Sequence, residues 1–282
     1  VRQKRFKSLG VSGFHTIAYT EWGDPENPHV LICLHGLCRN GRDFDRLAGV
    51  LARRWRVVCP DMAGRGGSDW LPDGKAYALP TYMTDCAALI ARLGVEEVSW
   101  LGTSMGGIIG IHMAALSGTP IRRLIVNDVG PFIPAAGLRR IIALLSGDPR
   151  FADDHEAERY FRRAMAQFGI SDPEDWRHMV ETGTRPAPGG GLRLHYDPAI
   201  LSDATAPEAI TDVSFWRVWD AVSCPVLVLR GSHSDILLPE TVRDMKRHGP
   251  PVTVAEVEGC GHAPALLDSG QIGTVSSWLT NI

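Results

Sequence analysis

Residues 98–107 read Val-Ser-Trp-Leu-Gly-Thr-Ser-Met-Gly-Gly. The first half is a short apolar run that reads as a buried strand, Val98–Gly102. The second half opens a helical stretch, Met105–Leu116, with a glycine-rich first turn. The corner between them fits G-x-S-x-G, with Ser104 at its centre. A serine on a sharp strand-to-helix turn holds its oxygen out of the fold, and the flanking glycines fit where Cβ atoms do not.

Working outward, the same alternation recurs. Val30–His35, Arg56–Asp61, Arg123–Asp128, Pro225–Gly231 and Val252–Val257 are continuous apolar runs, as strands buried on both faces are. Between or after them, Arg42–Arg53, Thr81–Leu93, Glu240–Arg247 and Ala263–Leu279 carry helical spacing, and Gly94 offers a C-cap. Phe14–Glu21 reads as a leading strand paired antiparallel at the edge. This rhythm predicts an α/β protein with a mostly parallel sheet wrapped by helices. It breaks at 131–222, where charged and aromatic residues mix over the helical stretches Asp153–Phe168 and Asp172–Thr182, interrupted by Arg185–Gly191. The expected division is a core of 1–130 plus 223–282 and an inserted helical unit of 131–222.

Composition narrows the function. The 282 residues carry 29 basic and 32 acidic side chains, net −3, which lacks the basic excess of a nucleic-acid binder. No apolar run approaches the length of a membrane span. Six cysteines without a C-x-x-C pair fit a reducing, cytoplasmic setting. With no H-E-x-x-H, no P-loop and no G-x-G-x-x-G after a strand, neither a metal nor a nucleotide cofactor is indicated.

A serine hydroxyl needs a base, and the base needs a carboxylate to hold its tautomer. His262, in Gly-Cys-Gly-His-Ala-Pro at 259–264 between the last strand and last helix, is the candidate base. Its rate signature is a kcat/KM that rises as the ring loses its proton. Two aspartates end strands where the acid should stand, Asp128 and Asp235. Asp235 is preferred, because the loop after its strand is the usual source of the acid in the chain order Ser104, Asp235, His262. The backbone N–H groups of Leu37 and Met105 are the candidate oxyanion hole. His35 reads as a loop organiser and Cys38 as a packing or hydrogen-bonding residue. Asp61 and Arg65 read as fixing their own loop.

Together, Leu-His-Gly-Leu at 34–37, the 60–69 segment PDMAGRGGSD, GTSMGG at 102–107, PVLVLRGSHSD at 225–235 and GCGHAP at 259–264 resemble, in order, the α/β-hydrolase family of esterases, C–C bond hydrolases and cofactor-free haloperoxidases. The resemblance implies an eight-stranded sheet and a helical cap, here 131–222, that shapes a small-molecule pocket. Ser104 stands where epoxide hydrolases and haloalkane dehalogenases of this fold have aspartate, which argues against both. Trp176, Trp216, Trp219, Phe132, Leu138, Phe161 and Phe168 are available as pocket lining. Most of these belong by expectation to the cap's own core, with Trp176 and Trp216 as candidate substrate contacts; His195 and Tyr196 read as structural. Three functions compete: a serine carboxyl-ester hydrolase, a C–C hydrolase of vinylogous diketones, and a non-hydrolytic receptor. Oligomeric state is not legible.

Overall fold

The computed structural model describes residues 1–204 and 209–280. Eight strands form the main sheet: β1 (Arg2–Gly10), β2 (Gly13–Trp22), β3 (Val30–Leu34), β4 (Arg56–Asp61), β5 (Val98–Thr103), β6 (Ile121–Asn127), β7 (Val226–Gly231) and β8 (Val252–Val257). Their spatial order is β1-β2-β4-β3-β5-β6-β7-β8. The pairs from β4 to β8 are all parallel; β2 pairs antiparallel with both β1 and β4. The expected leading strand is thus one arm of a hairpin. Its partner β1 was not anticipated, since Arg-Gln-Lys-Arg precedes Phe6 and hides the alternation that buries Phe6 and Ser8.

The pleat splits the core in two. Leu31, Cys33, Val57, Cys59, Leu101 and Leu229 face one side, against α1 (Asp45–Leu51) and α9 (Ser269–Thr280). Ile32, Leu34, Val58, Trp100, Val126 and Val228 face the other, against α2 (Leu79–Leu93), α3 (Met105–Ala114) and α8 (Pro239–Met245). Each large aliphatic chain buried on these faces contributes about 1.5–3 kcal/mol. All six cysteines are buried and unpaired.

Between β6 and β7 the chain forms α4 (Ala135–Leu145), α5 (Asp154–Ala164), α6 (Pro173–Gly183) and α7 (Trp216–Asp220). Asp153 and Asp172 cap α5 and α6 by accepting from Glu156 and Glu174 N–H. Arg185–Gly191 is no break between helices: it carries one short strand, Thr184–Pro186, into a turn whose return arm is Leu192–Leu194. The insertion has its own apolar cluster, centred on Phe151, Phe161, Trp176, Met179 and Tyr196. By contrast α7 packs on the main core, where Trp219 is fully buried. Among the described residues no helix is long and apolar enough to cross a membrane.

Candidate active site

Ser104 follows β5 with φ 52° and ψ −115°, a backbone conformation that non-glycine residues rarely adopt. The neighbouring glycines leave room for that turn by having no side chain. A Cβ on Gly102 would sit 2.1 Å from Gly106 O, and one on Gly106 would sit 2.1 Å from Leu34 O. The Trp100 indole donates to Gly106 O at 3.0 Å, tying the first turn of α3 to the sheet.

The Ser104 hydroxyl donates to His262 Nε2 at 2.9 Å, and His262 Nδ1 donates to a carboxylate at 2.8 Å. That carboxylate belongs to Asp128, one residue beyond β6, and not to Asp235. Asp128 is fully buried and has φ 59°. Its Oδ1 accepts from Gly231 N–H at 2.7 Å, and its Oδ2 accepts from the Ser234 hydroxyl at 2.5 Å as well as from His262. Two donors, the Gly231 amide and the Ser234 hydroxyl, therefore hold one carboxylate toward the imidazole. This corrects the expectation for Asp235. Its oxygens, about two-fifths exposed, are gripped in a bidentate pair by Arg140 of α4, at 2.5 and 2.6 Å. The Arg140 hydrogen bonds hold the Asp235 carboxyl below its ordinary value. Packing explains the turn: a Cβ on Gly137 would lie 2.6 Å from Asp235 O, so α4 rests directly on this loop and brings Arg140 to it.

Residues that the sequence reading did not single out secure the base. Asn127 donates to Pro264 O at 2.8 Å. Gly261 N–H donates to Gln167 O at 2.7 Å, and Ala265 N–H to Phe168 O at 3.1 Å. The insertion thus helps to hold the His262 loop, although the site's three side chains lie outside it. A strand-end Asn-Asp pair was the visible signal for Asn127 and Asp128; no local signal marks Gln167.

Leu37 and Met105 flank the serine, and neither amide donates to another group among the described residues. A Cβ on Gly36 would lie 3.8 Å from Ser104 Cβ, which measures how closely this loop passes the hydroxyl. His35 is the loop organiser that the sequence suggested. It is fully buried, its Nδ1 donates to Gly36 O at 2.7 Å, and its Nε2 accepts from Met62 N–H at 3.0 Å. Burial pulls its ring down to about 3, so it stays neutral. Burial pushes the Cys38 thiol up to about 11.

A small cavity of about 100 Å³ opens at the serine and is lined by Leu37, Cys38, Ile141, Leu144, Met165 and Phe168 around Ser104 and His262. Arg39, Asp43 and Arg140 also border it. The two tryptophans put forward as substrate contacts do not. Trp176 is buried in the insertion's own cluster under the Arg162 guanidinium, and Trp216 packs toward the main core with its ring 5.0 Å from that of His248. Trp219, Phe132, Leu138 and Phe161 stay away from it too; of the aromatic candidates Phe168 alone lines the cavity. His195 and Tyr196 serve structure: Tyr196 donates to Leu145 O, and His195 N–H to Gly183 O.

Asp61 fixes its loop from both sides, accepting from Gly41 and Gly67 N–H at 2.8 Å each. Burial raises its carboxyl to about 6, above the ordinary 3.8. A proton held more tightly by the folded state stabilises it at low pH, and that contribution is lost as pH rises through about 6. Asp61→Asn removes the titration. The urea midpoint of the native chain should therefore fall relative to that of the variant between these two values; a pH-independent gap means that Asp61 does not titrate there.

A mostly parallel sheet with a strained serine corner, a histidine and a buried carboxylate at one end defines the class of α/β hydrolases. The chain belongs to the alpha/beta hydrolase family, whose sequence profile matches residues 31–271. It is 46% identical over 279 residues to the 3-hydroxybutyrate-oligomer hydrolase of Cupriavidus necator, covering 96% of this chain and 95% of that one. Two solved structures share its fold. One is a Rickettsia typhi protein, 33% identical with TM-score 0.94 and all of both chains covered. The other is an alpha/beta hydrolase from Novosphingobium aromaticivorans, 33% identical with TM-score 0.87 and 99% of each chain covered.

Proposed function

We propose that this chain is a serine carboxyl-ester hydrolase acting on short hydroxyacyl oligomers. The observation that carries the reading is the continuous Asp128–His262–Ser104 hydrogen-bond relay at an apolar cavity. In the mechanism, His262 Nε2 takes the hydroxyl proton while Ser104 Oγ bonds to the ester carbonyl carbon, and the carbonyl electron pair moves onto oxygen. The Leu37 and Met105 amides receive that oxyanion. The tetrahedral centre collapses, the C–O bond to the alcohol breaks, and the histidine proton leaves with the alcohol. Water repeats the steps on the acyl-enzyme, so ester and water give acid and alcohol. Asp128 holds the imidazole in the tautomer with hydrogen on Nδ1 and stabilises its positive charge.

The apolar wall of Leu37, Ile141, Leu144, Met165 and Phe168 beside the serine supports a short acyl group. The similarity to a 3-hydroxybutyrate-oligomer hydrolase over nearly the whole of both chains supports a hydroxyacyl substrate. We assign the 131–222 insertion the role of cap, with α4 and the Met165–Phe168 stretch as its substrate-facing part.

The test is a panel of nitrophenyl esters from acetyl to decanoyl, 3-hydroxybutyrate dimer and trimer, and a ring-fission dienoate. Turnover of the short esters and oligomers is the expected result; turnover of the dienoate alone makes the chain a C–C hydrolase. On the ester series, Phe168→Ala should move the optimum to longer chains. Trp176→Ala, which changes only the insertion's core, should lower all rates together or none.

A further inference from the structure

Arg65 is a fully buried cation with no carboxylate at ion-pair distance among the described residues. Its Nε donates to Leu37 O at 2.9 Å, and its Nη1 donates to Ala63 O and the Tyr82 hydroxyl, each at 2.7 Å. Its Nη2 points at Met105 Sδ, 3.7 Å away. The plane of the guanidinium lies against two rings, Tyr82 at 5.0 Å and Tyr77 at 5.6 Å. Only Ala63 belongs to the loop that this arginine was expected to fix. Leu37 and Met105 are the two residues whose amides face the reacting carbonyl in the reading above.

A buried charge without a counter-ion is costly, and neutral oxygens and aromatic faces offset only part of that cost. Anchoring a loop does not require it, because a neutral donor satisfies the same carbonyls. What a fixed positive charge adds is a favourable potential for a negative charge that appears only during reaction. Such a charge forms next to Leu37 and Met105 when the carbonyl becomes tetrahedral.

We propose that Arg65 is a positioning residue of the oxyanion site: it holds Leu37 and Met105 in place, and its unpaired charge stabilises the tetrahedral oxyanion through space. The proposal rests on the Ser104 acyl-enzyme reading. It makes the transient oxyanion the counter-ion that the resting protein lacks. It also predicts that the residue matters for the transition state and little for binding a neutral ester.

The experiment uses the full chain, nitrophenyl butyrate, and two inhibitors: butylboronic acid, which becomes a tetrahedral anion on Ser104, and neutral planar butyramide. Arg65→Met should lower kcat by about 100-fold with KM within about 3-fold, and weaken the boronate by a similar factor while leaving butyramide unchanged. Arg65→Lys, which keeps the charge, should restore at least about 10-fold of the lost kcat. A kcat within about 3-fold of native, or equal weakening of boronate and butyramide, overturns the proposal in favour of a loop anchor. If Arg65→Met does not fold, Arg65→Gln, a neutral donor to the same carbonyls, decides by its boronate-to-butyramide ratio: one reduced about 10-fold or more supports the proposal and an unchanged one overturns it. Ser104→Ala is run alongside. Turnover surviving that change defeats the serine reading itself, whereas its loss beside a native-like Arg65→Met defeats only the role given to Arg65.

Discussion

Ser104→Ala will lower kcat on a short nitrophenyl ester by about 10⁶-fold while the fold persists, because without the hydroxyl no acyl-enzyme forms. The substitution removes one polar atom from a half-buried position and keeps the Cβ, so the melting temperature should move little. Covalent labelling by a fluorophosphonate probe should vanish with the activity. Near-native turnover in this variant would place the nucleophile elsewhere.

The second large effect separates the two aspartates. Asp128→Asn keeps the shape of the side chain but replaces an acceptor oxygen with an amide. The imidazole then favours hydrogen on the nitrogen that must accept from Ser104, and kcat should fall by about 10⁴-fold, as in serine proteases with the same change. Asp235→Asn weakens a partly exposed pair with Arg140 and should cost less than about 10-fold, the scale of an exposed ion pair. Side-by-side kcat/KM values on one ester settle the ranking. The reverse order would return the acid to the loop after β7.

How much of this site was readable in advance follows from how local its causes are. Ser104 announces itself through its own neighbours, since the strand, the corner and the glycines lie within ten residues. His262 is nearly as plain, standing alone between the last strand and the last helix. The acid is different. Asp128 and Asp235 each follow a strand at the same end of the sheet, and the choice between them is made by contacts between segments far apart in sequence. Arg140 occupies Asp235, while Gly231 and Ser234 complete Asp128. A preference for the usual chain order therefore missed a difference made by tertiary contacts.

The fold shows the same division. Val30–His35, Arg56–Asp61 and Val252–Val257 are short apolar runs whose limits match the strands within a residue. β1 escaped notice because its outward positions are basic and only Phe6 and Ser8 are buried. In the insertion, aromatic residues mark apolar packing without saying which face they fill. Trp176 spends its area on the insertion's own cluster, and the cavity wall is built from smaller or unbranched chains such as Leu144 and Met165.

The two hydrogen bonds from Gly261 to Gln167 and from Ala265 to Phe168 join main chain to main chain. They use the carbonyls at 167 and 168 and no side-chain atom there, while the first donor has to stay glycine, since a Cβ on Gly261 would lie 2.4 Å from Gln167 Oε1. If the cap reading holds, substitutions at Met165 and Phe168, which line the cavity, can change the acids accepted while the histidine stays where it is. Shortening or lengthening the 165–168 stretch is another matter, because it shifts the carbonyls themselves. On the proposed reading, the acyl range of this chain is open to point substitution and closed to insertion and deletion at this place.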